Sequence, residues 1–118
     1  TFTATGLPRS IPDKKWTGLT SSLNVTSTGK VSTLTASVSI RHPYRSDLRV
    51  TLISPSGTRA LLHNRAGKGR KDVILVDIPL TAFRGTTAAG QWKLLVQDLA
   101  RYDTGTLDSW SLTVTTKP

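Results

Sequence analysis

Cysteine is absent from this chain of 118 residues. That excludes a disulfide framework, a cysteine nucleophile and a thiolate metal site. The fold must therefore rest on packing, with a bound metal as the one remaining aid. No run of about 18 apolar residues occurs, so no transmembrane helix is expected. The amino terminus lacks the charged-then-apolar pattern of a signal peptide, as a mature or excised domain would. Histidine occurs twice, as His42 and His63. There is no G-x-S-x-G elbow and no H-E-x-x-H helix. Serine and aspartate are plentiful, but a catalytic triad is recognised by geometry and not by inventory. The expectation is a domain without catalysis of its own. No window of ten residues shows a convincing apolar repeat of 3.6, so helices are not expected either.

What is present is alternation. Leu34, Ala36, Val38 and Ile40 alternate with Thr35, Ser37 and Ser39, and Leu48, Val50 and Leu52 alternate with Arg49 and Thr51. Trp92, Leu94 and Val96 share one side of a strand, and Trp110, Leu112 and Val114 share one side of another. That is the period of half-buried β-structure. Val73 to Ile78 is a β-branched run that reads as a more buried strand. Ser21 to Val25 and Arg59 to His63 are shorter candidates, and Phe2 to Thr5 adds an edge strand. Ser54-Pro55-Ser56-Gly57 has the type I pattern, and Ser27-Thr28-Gly29-Lys30 reads as a hairpin turn. About eight strands with one apolar face each must bury those faces against a second sheet. The expected fold is one all-β domain over residues 1–118, an antiparallel β-sandwich with Trp92 and Trp110 in its core.

The formal net charge is +9, with 16 lysines and arginines against seven acidic residues. The cations are scattered, no basic helix appears, and no aromatic ribonucleoprotein motif is present, so nucleic acid is not an expected partner. The 66–71 segment, AGKGRK, reads as a solvated loop. An electrostatic contact with an acidic partner or an anionic cell envelope is the functional alternative.

Five motifs in order resemble the P domain, or Homo B domain, of proprotein convertases and secreted bacterial proteases. They are Ile11-Pro12-Asp13; His42-Pro43-Tyr44-Arg45-Ser46-Asp47-Leu48; Ser54-Pro55-Ser56-Gly57-Thr58; Phe83-Arg84-Gly85 with Gly90-Gln91-Trp92; and the Gly90 to Leu112 segment, GQWKLLVQDLARYDTGTLDSWSL. They span roughly residues 11 to 114. Ser46 stands where many members carry the glycine of R-G-D, so an integrin-type reading has no support. The resemblance implies a jelly-roll order for the sandwich. It further implies a monomeric, non-catalytic module in a secreted, extracellular protein, covalently linked to a protease catalytic domain. That host would be a subtilisin-like serine protease, or in some bacteria a metalloprotease or aminopeptidase. The module would stabilise the host, influence its calcium and pH dependence, and affect access of protein substrates. Arg45, Arg49, Arg65, Lys68, Arg70 and Lys71 are candidates for the electrostatic part of that contact.

Asp98, Asp103 and Asp108 flank one glycine-bearing connection. Carboxylates with loop carbonyls could supply calcium with oxygens, or Asp103-Thr104-Gly105 could simply make the turn. Asp47 is read as a carboxylate that fixes its loop, with metal ligation as the alternative; Asp13 is a turn residue first. His42 is expected to face a loop and bond the neighbouring turn, and His63 to end a strand. Asn24-Val25-Thr26 is a glycosylation sequon in a probable strand. Trp16, Tyr44 and Tyr102 could form a sugar-stacking platform, the carbohydrate- or cell-envelope-binding alternative to the accessory-domain reading.

Overall fold

In a computed structural model of the chain, two antiparallel sheets pack face to face. The structure describes residues 1–11, 18–42, 47–65, 71–99 and 105–117. The strands are β1 (Phe2–Thr3), β2 (Arg9–Ile11), β3 (Leu19–Val25), β4 (Lys30–Arg41), β5 (Leu48–Ile53), β6 (Arg59–Asn64), β7 (Val73–Pro79), β8 (Gly90–Asp98) and β9 (Gly105–Lys117), with one turn of 3-10 helix at Thr81–Phe83. One sheet has the order β1-β9-β4-β7, with β2 also paired to β9; the other has the order β3-β8-β5-β6. Among the described residues nine strands stand where about eight were expected, because Arg9–Ile11 forms a short strand of its own against Gly105–Leu107.

The alternating residues do what a pleat requires. Leu34, Ala36, Val38 and Ile40 of β4 are buried, as are Leu48, Val50 and Leu52 of β5 and Trp92, Leu94 and Val96 of β8. Trp92 and Trp110 each also satisfy the indole N–H, which burial would otherwise leave costly. Trp92 Nε1 donates to the Ala88 carbonyl at 2.9 Å, and its ring meets Phe83 edge-on with centroids 5.0 Å apart. Trp110 Nε1, on β9, donates to Ser21 Oγ on β3 at 2.8 Å, a bond that crosses from one sheet to the other.

Two local expectations are corrected. Residues 27–30 do not turn a hairpin, because β3 and β4 belong to different sheets; the segment is a crossing between layers, tied by the Ala88 N–H to the Gly29 carbonyl at 3.1 Å. Val73 to Ile78 is not the more buried strand. It is β7, an edge, with Ile74 58% and Val76 67% exposed. β-branching suits an edge strand's backbone as well as a central one's, so composition alone could not separate them. The Ser54 turn forms as expected: Gly57 N–H donates to the Ser54 carbonyl at 3.0 Å, and Gly57 takes a φ of 94° that a side chain would resist.

The registers gather one set of strand ends together. Ile11 lies opposite Gly105, Arg41 opposite Thr106, Ile40 opposite Val73, Leu48 opposite Asp98 and Arg49 opposite Asn64. Both histidines and four of the five described aspartates, Asp47, Asp72, Asp98 and Asp108, are near this end of the sandwich.

Candidate functional site

β4 runs out at Arg41, and the next residue, His42, turns its ring inward between the layers. The side chain is fully buried, as is that of Asp98 at the end of β8, and His42 Nε2 lies 2.8 Å from Asp98 Oδ2. β4 and β8 belong to opposite sheets, so this pair is a polar tie across the sandwich at an end where aliphatic packing stops. The His42 backbone is held as tightly. Its N–H donates to Asp72 Oδ1 at 2.9 Å and its carbonyl accepts from the Asp72 N–H at 2.9 Å, which docks the start of β7 on the end of β4. Gly105 leaves room for the ring: a Cβ there would press on the Arg41 carbonyl oxygen and come within 2.8 Å of His42 Cδ2. Asp47, just before β5, accepts the Leu99 N–H on its carbonyl at 2.8 Å, and so joins the β5 entry to the β8 exit.

His42, Asp47 and Asp98 each offer a ligand atom, and these atoms lie within 4.8 Å of one another, the one such group among the described residues. An imidazole with two carboxylates is a donor set for zinc or another transition metal. Calcium takes oxygens, six to eight of them, and these described residues do not assemble such a cage. All three side chains or their residues also make further interactions within the protein. A buried, hydrogen-bonded network of this kind fixes the geometry of the strand ends it joins.

The residues singled out from sequence disperse. Asp98 belongs to the buried cluster. Asp108, half-buried on β9, accepts from Arg41 Nε at 2.8 Å on one oxygen and from Thr106 Oγ1 at 3.0 Å on the other. Asp103 lies outside the described residues, as do Arg45, Lys68 and Arg70 and the aromatic trio Trp16, Tyr44 and Tyr102. Arg49 projects from β5 on the outer face of its sheet, with its Nε donating to Asn64 Oδ1 at 3.2 Å. Arg65 takes a left-handed φ of 56° after β6, and Lys71 is exposed beside Asp72. Asn24 is an exposed position of β3. His42 differs from expectation: it is a core residue and not a loop-facing one. Neighbouring Pro43 made a loop the natural reading, and the partner that draws the ring inward is 56 residues away. His63 is likewise buried within β6.

A two-layer antiparallel sandwich of this topology, with polar ties at one end and no catalytic constellation among the described residues, defines an all-β module. The chain belongs to the proprotein convertase P-domain family, whose family model matches residues 31–114. It is similar to leupeptin-inactivating enzyme 1 of Streptomyces exfoliatus, 37% identical over 105 residues, covering 87% of this chain and 24% of that protein. It is also similar to a transglutaminase-activating metalloprotease of Streptomyces mobaraensis, 38% identical over 105 residues, covering 87% of this chain and 13% of that protein. Among solved structures it matches a serine protease of Aeromonas sobria with a TM-score of 0.72 and 25% identity, over 89% of this chain and 24% of that one. The chain thus spans about a quarter or less of the proteins it resembles.

Proposed function

We propose that this chain is a non-catalytic accessory domain of a secreted protease, linked covalently to the catalytic domain, which it stabilises and whose access to protein substrates it modulates. The observation that carries this reading is the pairing of a family match across residues 31–114 with relatives of which this chain spans a quarter or less, named as proteases of two chemical classes. One module carried by a serine protease and a metalloprotease contributes something other than the reaction itself. A further relative is an extracellular basic protease of Dichelobacter nodosus, which supports an extracellular location.

Covalent linkage makes a weak contact sufficient. A tethered neighbour experiences an effective concentration of about a millimolar or more, so a face too weak to bind a free partner can still hold a linked one. Arg49, Arg65 and Lys71 are candidates for the charged part of that contact, with Arg45, Lys68 and Arg70 beside them in sequence. The test is to express the parent protease with and without these 118 residues. Faster thermal inactivation and slower cleavage of a folded protein substrate are expected on deletion. Unchanged inactivation together with unchanged protein cleavage would defeat the accessory reading.

Calcium enters through relatives from Trichormus variabilis and a Nostoc strain, both 35% identical over 99 residues and both named calcium-dependent protease. For this chain the candidates are the carboxylates on either side of the β8–β9 connection, Asp98, Asp103 and Asp108. Two of these already have protein partners in His42 and Arg41.

A further inference from the structure

The outward face of the sheet β3-β8-β5-β6 has a pattern that neither the core nor the family match requires. The registers set its side chains in rows across the strands. One row is Asn64, Arg49 and Gln97; the next is Leu61, Thr51, Leu95 and Thr20; the next is Arg59, Ile53, Lys93 and Ser22. A row holding Arg49, a row holding Leu61 and Leu95, and a row holding Arg59 and Lys93 follow one another along β5. Thr51 is a short side chain between the two leucines of the middle row. With Leu61 and Leu95 on either side of it, it lies in a groove of about 560 Å³ that also touches Arg49, Arg59 and Gln97.

Among the described residues, the charge on this face is of one sign. The chain has no glutamate, and its seven acidic residues are all aspartates. The five described ones lie elsewhere: Asp98 is buried with Asp47 in its cluster, Asp72 and Asp77 belong to the β7 side, and Asp108 is paired with Arg41 on β9. Among the described residues, no carboxylate bonds Arg49, Arg59 or Lys93, whereas Arg41 pairs with Asp108 and His42 hydrogen-bonds Asp98. Leu61 is 54% exposed in the middle row, on the edge strand β6. By contrast, the outward face of the other sheet carries Ser37, Ser39, Ser109 and Ser111 with Asp77 and Asp108 nearby.

We propose that this face binds an extended acidic segment of a separate protein, with carboxylates at positions i and i+4 and an apolar side chain at i+2, which assigns Arg49 to that partner and leaves Arg65 and Lys71 for the linked catalytic domain. The spacing argues for it. Arg49 and the Arg59–Lys93 row are two rows, or four residues, apart along β5, about 13 Å at the rise of a strand. An extended peptide places every second side chain on one side, at the same repeat. A carboxylate thus reaches Arg49, the next inward side chain falls over Thr51 between Leu61 and Leu95, and the next carboxylate reaches Arg59 and Lys93. Arginine suits the ends because its planar fork matches a carboxylate. The apolar row supplies the register that charge alone lacks.

A fluorescein-labelled peptide, Gly-Ser-Glu-Thr-Leu-Thr-Glu-Ser-Gly, titrated with the 118-residue chain, tests this. Saturable anisotropy is expected by about 1 mM, weaker when salt is raised from about 0.05 to 0.3 M. Arg49→Glu and Arg59→Glu should each weaken binding by at least about fivefold, and Leu61→Ser should weaken it without changing its salt dependence. Lys30→Glu, at the far end of β4, should leave it unchanged. All four variants are surface changes, and melts close to wild type check that each is folded. A peptide of the same composition with its glutamates adjacent should bind less well. The proposal is overturned if no saturable binding occurs, if the charge reversals bind like wild type, or if the rearranged peptide binds equally. Heparin bound through Arg49 and Arg59 with no peptide binding would also overturn it, by assigning the face to an anionic polysaccharide.

Discussion

At the scale of the residue, stability concentrates in a few buried side chains that have both a volume and a bond to lose. Trp92 and Trp110 are almost fully buried, and each indole N–H has a partner. Truncation to alanine should cost about 3–5 kcal/mol at either position, a large part of the roughly 5–15 kcal/mol available to a domain. Trp92→Ala and Trp110→Ala should melt far below wild type or lose cooperativity, and melts near wild type for both would show that they do not hold the core. The His42–Asp98 pair should behave differently. His42→Leu leaves the buried Asp98 carboxylate with one bond fewer, at about 1–3 kcal/mol or more. The double variant His42→Leu with Asp98→Leu should cost less than the sum of the two single changes, because the groups act as a pair. Denaturant titration of the three variants reads this directly, and additive losses would mean that the two groups are held by other partners. The tryptophans could be found in the sequence because they keep phase with aliphatic neighbours two residues away. The pair could not, because nothing local marks Asp98 as the partner of a histidine 56 residues earlier.

At the scale of the element, alternation foretold the strands but not their neighbours. β8 and β9 follow one another in sequence and share the same aromatic-aliphatic pattern, yet they lie in different sheets. A period of two says which side of a strand is buried; it does not say which strand lies alongside. Edges are hidden for the same reason, and β7 is the case that matters. Ile74 and Val76 face solvent on a strand whose outer edge has no partner among the described residues. Such an edge is a site for unwanted pairing with another chain. Ile74→Lys and Val76→Lys should keep the melting temperature within about 2 °C of wild type, since exposed substitutions shift stability by about half a kcal/mol or less. Both should reduce concentration-dependent light scattering. A large fall in melting temperature would instead mean that these side chains are covered in the folded domain.

At the scale of the whole molecule, the net charge of +9 decides how any ion experiment must be read. A compact domain with that imbalance repels itself, and added salt of any kind screens the repulsion. Calcium must therefore be compared with sodium chloride at equal ionic strength, and with chelator present, before a shift is assigned to a site. The carboxylates that flank the β8–β9 connection differ in what they can give. Asp98 is buried against His42, whose ring nitrogen is a poor partner for calcium, and Asp108 already holds Arg41. Binding through these two would require both bonds to break. Through Asp98 and Asp108 alone, millimolar calcium should therefore leave the melting temperature within about 1 °C of the matched salt control, as expected of an ion that these two side chains do not hold. A rise of several degrees that chelator reverses, and that Asp108→Asn abolishes, would place the ion on that connection and overturn the expectation. A rise that survives Asp108→Asn but is lost in Asp47→Asn would place it instead in the buried group with His42 and Asp98. Zinc, which accepts imidazole nitrogen alongside carboxylate oxygen, is the informative comparison for that group. If zinc shifts the melt where calcium does not, the cluster is a metal site in its own right. If neither does, its three side chains are a tie between sheets.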